Sequence, residues 1–373
     1  MKEKKVLIWG YYGANNFGDD LIFNSVFKLI KSNRDKINIF YTVKKKENAY
    51  NVDATPIKFF GKNHSNKALN FLINLRILFG TVLKMDAIII GGGTQYFEID
   101  SRKSISILLK YLSCCLIKLK GGKFINAGVG IGEVKSRLGK FCLKRIFKKS
   151  NYSFVRDRQS KETLLQLGVS YKDVIVGKDL SYYLPKDFKE KREKNSKIMV
   201  GLNLLDYYDY LEKNPKKRLI FIESIKTLIH YLQNKENIEV FYFALQNESG
   251  GKDLEFMNEI KPLMANKVLF YKENFNGFTN QLAEMDFCIG LRYHFVVVAI
   301  QNCIPTIGIN YQPKVQRELD DFGLKDYVIQ MDEVNGQYLI SKFEKQLESK
   351  GLKVKIDQKL KAIKRSLNIE EFI

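Results

Sequence analysis

The 373-residue sequence is poor in the residue types that usually mark metal and redox sites. It has three histidines and five cysteines. No two cysteines are spaced as C-x-x-C, and no cysteine–histidine group has the spacing of a zinc site. We therefore expect the cysteines to be small buried hydrophobes, and we expect neither a metal nor a resident cofactor.

Long hydrophobic runs are also missing. A membrane-spanning helix needs about 20 consecutive apolar residues. The two longest apolar stretches, residues 68–83 and 104–119, are interrupted by charged residues. The first ten residues lead into a strand pattern and show no signal region with a cleavage site. These patterns predict a cytoplasmic protein, at most peripheral to the cytoplasmic membrane.

Acidic residues are too few to balance the basic ones. The chain has 62 Lys and Arg against 41 Asp and Glu, a formal net charge of +21. Such an excess attracts anions. No nucleic-acid-binding motif accompanies it, so we expect no nucleic acid partner. Lysine in solvated segments explains part of the charge, and the partner we expect for the rest is the acidic inner face of a membrane.

Strand-like and helix-like segments alternate along both halves of the chain. The first series begins at "KVLIWG" and the second at "IMVGLNLL". Alternating apolar strands and amphipathic helices predict parallel sheets covered on both faces, hence an α/β protein with two Rossmann-like domains that face a cleft. Ligands of such sheets bind at the carboxyl ends of the strands. The predicted segments are an N-terminal domain, a charged linker, a C-terminal domain and a helical tail, at residues 1–184, 185–197, 198–335 and 336–373.

The first strand end carries "GYYGANNFGDDLI", residues 10–22. Its glycines permit a tight turn that leads to a helix start. Asn16, Asp19 and Asp20 are candidates for ligand contacts there, and one acid could act as a base on a hydroxyl. Asp20 has an alternative role as a first-turn acid that stabilises the helix.

A second strand end carries "GGGTQYF", residues 91–97. Gly92 and Gly93 allow close approach of the backbone to a ligand, or equally to a neighbouring loop. The side chain of Gln95 is a candidate partner for a sugar hydroxyl.

The segment "FVRDRQS" follows another strand and a further glycine-rich stretch. Strand alternation predicts Arg156 and Arg158 on one side and Asp157 on the other. The two arginines could grip a carboxylate or phosphate, or an Arg–Asp pair could hold the sheet edge. Ser160 is the predicted N-cap of the next helix.

Arg292 and His294 lie between a strand pattern and a strongly apolar helix pattern. A helix N-terminus repels cations, so an arginine there suggests a bound anion between its side chain and the helix. His294 could donate or accept a proton near neutral pH. The following turn, "NYQPKV", brings Lys314 into the same region.

Taken in order, these segments resemble the polysaccharide pyruvyl transferase family over about residues 5–320. The set comprises "GYYGANNFGDDLI", "GGGTQYF", "AGVGIG", "FVRDRQSKETLLQLGV", "GKDLSYYL" and "GLRYHFVVVAIQNCIPTIGINYQPKV". The resemblance implies a fold like the two-domain glycosyltransferase-B architecture. It also implies transfer of a pyruvyl group from phosphoenolpyruvate to a sugar of a cell-surface polysaccharide or its lipid-linked precursor. The products would be a pyruvate ketal and phosphate.

The resemblance also suggests roles for single residues. Arg156 and Arg292 would bind the donor, and residues 291–294 carry the Arg-x-His motif of the family. From the chemistry we expect His294 as general acid and Asp19 as base on the sugar hydroxyl. The other donor-side candidates are Leu291, Arg158 and Lys314, and the acceptor-side candidates are Asn16, Asp20, Gln95, Gly92 and Gly93.

Two other functions remain open from the sequence. A glycosyltransferase of the same architecture would use a nucleotide-sugar, and fold alone does not separate it from a pyruvyl transferase. A non-catalytic scaffold in glycan assembly would need its lysine patches but not Arg292 or His294.

Overall fold

The structure is a computed structural model that divides into two compact units. One unit comprises residues 1–14, 18–184 and 363–373, and the other residues 15–17 and 185–362. A single boundary in the predicted linker would place residues 15–17 in the first unit and residues 363–373 in the second. The structure assigns both segments the other way round. That linker lies outside the described residues except for its last position. The described residues are 3–33, 37–44, 49–58, 65–98, 101–183, 197–246, 252–260, 263, 266, 268–272, 274–349 and 351–365.

The first unit follows the predicted alternation of strands and helices. Its parallel sheet has the order β3-β2-β1-β4-β6-β7-β8, with β5 paired to β6. Its elements are β1 (Lys4–Trp9), α1 (Phe17–Asn33), β2 (Ile37–Thr42), β3 (Thr55–Ile57), α2 (Lys67–Val82), β4 (Ala87–Gly91), β5 (Thr94–Tyr96), α3 (Ser101–Leu119), β6 (Lys123–Ile131), α4 (Arg137–Lys149), β7 (Tyr152–Val155), α5 (Arg158–Gln166) and β8 (Ile175–Val176).

Apolar side chains cover both faces of this sheet. Leu7 and Trp9 of β1 pack into a core with α2, α3, α4 and α5. Val6 and Ile8, which alternate with them, pack into a second core with α1. Both faces are buried because successive side chains of a strand point to opposite sides. Helix α1, together with Ile363, covers one face, and α2 to α5 cover the other.

The second unit repeats this architecture. Its parallel sheet has the order β11-β10-β9-β12-β13-β14. Its elements are β9 (Ile198–Asn203), α6 (Tyr207–Tyr210), α7 (Pro215–Gln233), β10 (Ile238–Ala244), α8 (Asp253–Glu259), β11 (Val268–Phe270), α9 (Phe275–Ala283), β12 (Phe287–Gly290), α10 (Tyr293–Gln301), β13 (Thr306–Asn310), α11 (Pro313–Asp321), β14 (Val328–Gln330), α12 (Gly336–Leu347) and α13 (Leu352–Arg365), the last ending in residues of the first unit.

These two parallel-sheet units confirm the predicted α/β fold class. Among the described residues, the strand pairs that build the two sheets are parallel, for example Leu7 with Ile88 and Ile289 with Leu202. Helix α7 shows why the local sequence folds as it does. Asn214 caps it by accepting from the Lys217 N–H at 3.2 Å, and Pro215 occupies the first turn, where no N–H is needed.

Two local predictions were wrong. The N-cap of α5 is Asp157, since its Oδ1 accepts from the Ser160 N–H at 2.7 Å. The Ser160 hydroxyl instead accepts from the Ile131 N–H at 2.9 Å. The apolar pattern of "DVIVGKDLSYYL", residues 173–184, also predicts a strand, but the described part of this segment contains only the two-residue β8 and a 3₁₀ turn at Leu180–Tyr183.

Candidate active site

Hydrogen bonds of Tyr50 hold the loop after β1 in place, together with Asp20. Tyr50 donates a short hydrogen bond from its hydroxyl to Asp20, and the same hydroxyl accepts from the Gly13 N–H at 3.0 Å. Burial, reinforced by the charge of Asp20, raises the pKa of Tyr50 far above its ordinary value. Tyr50 therefore stays protonated as a donor, and Asp20, which is buried, is engaged in holding the loop.

Asp19 and Gln95 meet at Gly93. A Cβ placed on Gly93 would lie 3.6 Å from Asp19 Oδ1 and 3.5 Å from Gln95 Nε2. Asp19 is half-buried, and its charge adds to burial in raising the pKa of Tyr12 above the ordinary range. The structure thus brings three predicted residues together at the carboxyl edge of the first sheet. We call Asp19, Gly93 and Gln95 the first-unit cluster.

Gly92 has a packing role. Its φ is +50°, and a Cβ there would lie 2.3 Å from Ile22 Cγ2 on α1. Only glycine combines that conformation with that approach. The backbone of this residue lets α1 pack closely on the strand end, which is the alternative that the sequence had left open.

Arg156 is held over a glycine of β6. Its Nη2 donates to Thr94 Oγ1 at 2.9 Å, and its Nε lies 3.4 Å from Asp157 Oδ2. A Cβ on Gly130 would come within 2.8–2.9 Å of the guanidinium. Arg158 is exposed at the start of α5. Strand alternation does not relate the two arginines, because β7 ends at Val155.

Arg292 is anchored at the carboxyl edge of the second sheet. Its Nε lies 3.1 Å from both carboxylate oxygens of Asp253, and its Nη2 lies 2.5 Å from Oδ1. Asp253 is fully buried and also accepts from the Leu245 N–H at 3.2 Å. The Arg292 side chain is only 14% exposed. A buried ion pair of this geometry fixes the position of the guanidinium.

Asn203 fixes the backbone of the same segment. Its Oδ1 accepts from the Arg292 N–H at 2.9 Å, and its Nδ2 donates to the Phe243 carbonyl at 2.8 Å. The backbone carbonyl of Asn203 accepts from the N–H of Leu291, a fully buried residue. One amide side chain thereby connects the ends of β9, β10 and β12.

Tyr311 interacts electrostatically with Arg292. Burial, the larger effect, raises the pKa of Tyr311, and the charge of Arg292 lowers it. Asp253 raises the pKa of Arg292 against the opposing effect of burial, so Arg292 stays charged. The ring of Tyr207 lies 5.7 Å from that of Tyr311. Tyr207 therefore packs beside Tyr311, the tyrosine that interacts with the charged guanidinium.

His294 and Lys314 both lie beside Tyr293. The rings of His294 and Tyr293 are 5.0 Å apart, and Lys314 Nζ lies 5.5 Å from the Tyr293 ring. The Tyr293 hydroxyl donates to the buried carboxylate of Glu318 at 2.9 Å. His294 is the second residue of α10, and Tyr293 separates it from the Arg292 N-cap. We call Arg292, His294, Tyr311 and Lys314, with their support Asp253, the second-unit cluster.

Asn16 does not join the first-unit cluster. It forms an isolated antiparallel bridge with Gln246 and belongs to the second unit. Of the other acceptor-side candidates, Asp20 is engaged by Tyr50 and Gly92 by packing on Ile22.

The sequence model of the polysaccharide pyruvyl transferase family matches residues 16–313. That range is well over half of the chain and includes every cluster residue except Lys314. The chain belongs to the polysaccharide pyruvyl transferase family. Membership in this family indicates an enzyme that acts in polysaccharide modification. No curated protein sequence matches the chain.

Solved structures confirm the glycosyltransferase-B type of fold. A UDP-GlcNAc 2-epimerase from Neisseria meningitidis bound to UDP-GlcNAc has a TM-score of 0.57 at 10% identity and covers 99% of this chain and 96% of its own. Anabaena HepE in complex with UDP and glucose has a TM-score of 0.56 at 11% identity, with 98% of each chain covered. The UDP-GlcNAc 2-epimerase of Methanocaldococcus jannaschii has a TM-score of 0.55 at 14% identity, with 93% of each covered.

Several residues that support the two clusters were not predicted from the sequence. Asp253 reads as an ordinary first-turn acid of α8, and nothing in its spacing connects it with Arg292. Asn203 does carry a signal, since it is a polar residue at the end of the apolar strand "IMVGLN". Tyr50 and Tyr311 have none, because the chain contains 20 tyrosines.

Proposed function

We propose that the enzyme transfers the pyruvyl group of phosphoenolpyruvate to a sugar of a cell-surface polysaccharide or its lipid-linked precursor. The group becomes a cyclic ketal across two hydroxyls, and phosphate is released. The observation that carries this proposal is Arg292, charged and fixed by buried Asp253, two residues before His294 at the start of α10. The family match includes this segment.

Two anchored arginines suit the donor. Phosphoenolpyruvate carries a phosphate and a carboxylate, and guanidinium groups bind both through paired hydrogen bonds. Asp253 binds Nε and Nη2 of Arg292, whose guanidinium has five N–H donors, and the other donors suit an anionic oxygen. Arg156 supplies the second guanidinium, and we assign Lys314 and Arg158 supporting roles. Arginine charge on the phosphate makes a metal unnecessary in this proposal.

The chemistry requires one proton donor and one proton acceptor. A proton is added to the methylene carbon of the donor, which becomes the methyl group of the ketal. The first sugar hydroxyl bonds to the adjacent carbon and loses its proton. The bond from that carbon to the phosphate oxygen breaks, phosphate leaves, and the second hydroxyl closes the ketal and gives its proton to the released phosphate. We assign the proton donation to His294, and the proton acceptance at the sugar to Asp19 beside Gly93 and Gln95.

Calorimetric titration with phosphoenolpyruvate tests the donor without knowledge of the acceptor. We expect saturable binding by the wild type and by Arg317→Gln, an exposed arginine of α11 that serves as control. Arg156→Gln and Arg292→Gln should weaken binding at least tenfold. Wild-type protein that does not bind phosphoenolpyruvate, with or without a sugar acceptor, would contradict the proposal.

Loss of binding in Arg292→Gln alone has a second explanation, because it leaves the buried Asp253 without its cation. The double variant Arg292→Gln/Asp253→Asn removes both charges, so that no unpaired charge is left buried. It should be folded and still fail to bind. Binding restored in the double variant would show that Arg292 does not contact the donor.

A nucleotide-sugar transferase is the second candidate. It is favoured by the UDP present in the HepE complex and the UDP-GlcNAc in the epimerase complex, which share this fold. UDP titrated in the same experiment separates the two candidates. Tight UDP binding without phosphoenolpyruvate binding would select the transferase, and failure of both would favour the scaffold.

A further inference from the structure

Three neighbouring helices of the first unit contain no acidic residue. Helices α2, α3 and α4 have two, four and six basic residues, respectively. Along the whole chain an acidic residue occurs about once in nine positions. The basic excess of the protein is therefore concentrated on this layer of helices and is not uniform lysine enrichment.

The outward faces of these helices are also apolar. On α2 a stripe at spacings of three and four residues runs through Leu69, Leu72, Arg76, Gly80 and Leu83, with the leucines 43%, 59% and 56% exposed. No heavy atom lies within 4 Å of a Cβ placed on Gly80. The usual pattern of a surface helix, apolar inward and polar outward, is thus broken on the outer side.

Helix α4 has the same character. Leu138 and Phe141 are about half exposed, at 48% and 49%. Lys140, Lys148 and Lys149 belong to the same helix and are exposed as well. Exposed leucine and phenylalanine among lysines form the pattern of a helix that lies in the interface of a membrane.

The three helices form one continuous surface. All three pack against the same core on one face of the first sheet, and α3 contacts both α2 and α4. Lys120, just after α3, donates to the carbonyl of Leu83 at 2.8 Å. The rings of Tyr111 on α3 and Phe141 on α4 lie 6.1 Å apart. We call the outer face of α2, α3 and α4 the basic-apolar face.

We propose that the basic-apolar face docks on an anionic lipid bilayer. Such a bilayer offers negative headgroups to the lysines and an apolar boundary to the leucines and Phe141. A second copy of the chain would meet this face with the same charge and be repelled. Nucleic acid would satisfy the lysines but leave the leucines exposed. No helix among the described residues is long and apolar enough to cross a membrane, so this contact lies on the surface.

Sedimentation with vesicles tests the proposal independently of any enzymatic activity. The full-length protein should bind vesicles that contain phosphatidylglycerol, bind phosphatidylcholine vesicles far more weakly, and dissociate as salt rises. Equal binding to both vesicles, or binding to RNA but not to vesicles, would overturn the proposal.

Charge variants locate the contact. Lys140→Gln/Lys148→Gln/Lys149→Gln should lower partitioning about 100-fold, since each lysine near the surface contributes about fivefold. Lys216→Gln/Lys345→Gln/Lys353→Gln removes the same charge from exposed positions of the second unit and should retain most of the binding. Equal losses in the two triple variants would show that only the net charge matters and would refute a specific face.

Apolar variants separate docking from simple attraction of charge. Leu72→Ser/Phe141→Ser should weaken binding at least tenfold and make the remainder more sensitive to salt. Leu219→Ser/Ile220→Ser, exposed to a similar degree on α7, is the matched control and should bind normally. These four side chains are 49–64% exposed, so we expect their replacement to leave the fold intact. Circular dichroism checks this. Normal vesicle binding by the Leu72/Phe141 variant would contradict insertion of this face.

Discussion

Arg292 contacts both carboxylate oxygens of Asp253, and that carboxylate has no exposed surface. This arginine is therefore paired with a buried anion that no sequence pattern associates with it. The pair explains how an arginine is tolerated as the N-cap of α10, where the helix dipole opposes positive charge.

Breaking this pair should be costly, whereas removing both charges should not. We expect Arg292→Gln or Asp253→Asn alone to lower the free energy of unfolding by about 3–5 kcal/mol, because one buried charge or its partner's donors are left uncompensated. The double variant should lose much less than the sum. Urea unfolding of all four proteins measures the coupling, and additive losses would mean that the pair contributes little.

Gly130→Ala should impair the donor site without unfolding the protein. The added methyl group would overlap the guanidinium of Arg156, the mobile end of a side chain, and would move it from Thr94. We expect phosphoenolpyruvate binding to weaken about tenfold with little change in the urea midpoint. Gly80→Ala on exposed α2 is the control and should stabilise by up to about 1 kcal/mol, since alanine favours helix. Unchanged binding by Gly130→Ala would argue against Arg156 as a donor ligand.

Tyr50→Phe should loosen the loop after β1. Phenylalanine keeps the stacking on Phe23, whose ring centroid lies 4.3 Å away, and removes only the hydroxyl that joins Asp20 and Gly13. Loss of a donor to a buried carboxylate should cost about 2–3 kcal/mol in thermal or urea unfolding. Tyr231→Phe, at an exposed pair with Glu344, should cost well under about 1 kcal/mol. Similar losses in both variants would count against a special role for Tyr50.

Stability should fall at alkaline pH. Burial raises the pKa of Tyr242 to about 12, and burial with the charge of Asp332 does the same for Tyr208. The unfolded chain loses these protons at about pH 10, so their contribution is complete below that value and is lost as the pH rises toward 12. Urea midpoints measured from about pH 8 to pH 11 should decline above pH 10. Tyr242→Phe should decline less steeply, and an equal slope would contradict this origin.

The two sheets could be predicted from the sequence because strands that are buried on both faces form continuous apolar runs. The run of apolar residues in β1 and its glycine-rich end, for example, predict the strand and the turn that follows. The same pattern placed Gly93 and Arg292 at strand ends. It could not place Asp253 beside Arg292, because these residues are 39 positions apart and meet only in the folded second unit. The cap of α5 was missed because aspartate and serine are equally good caps, and only the geometry selects Asp157.

The assignment of residues 15–17 to the second unit has a consequence for protein engineering and for the evolution of the family. Phe17 is fully buried among Tyr271, Phe275 and Phe278, with ring centroids 5.1–5.5 Å apart, and Ile363 packs on the core of the first unit. A fragment cut in the linker would separate both residues from their surroundings. Chimaeras between relatives therefore have to exchange several segments together, and neither half of this chain is an independent module that recombination could move on its own.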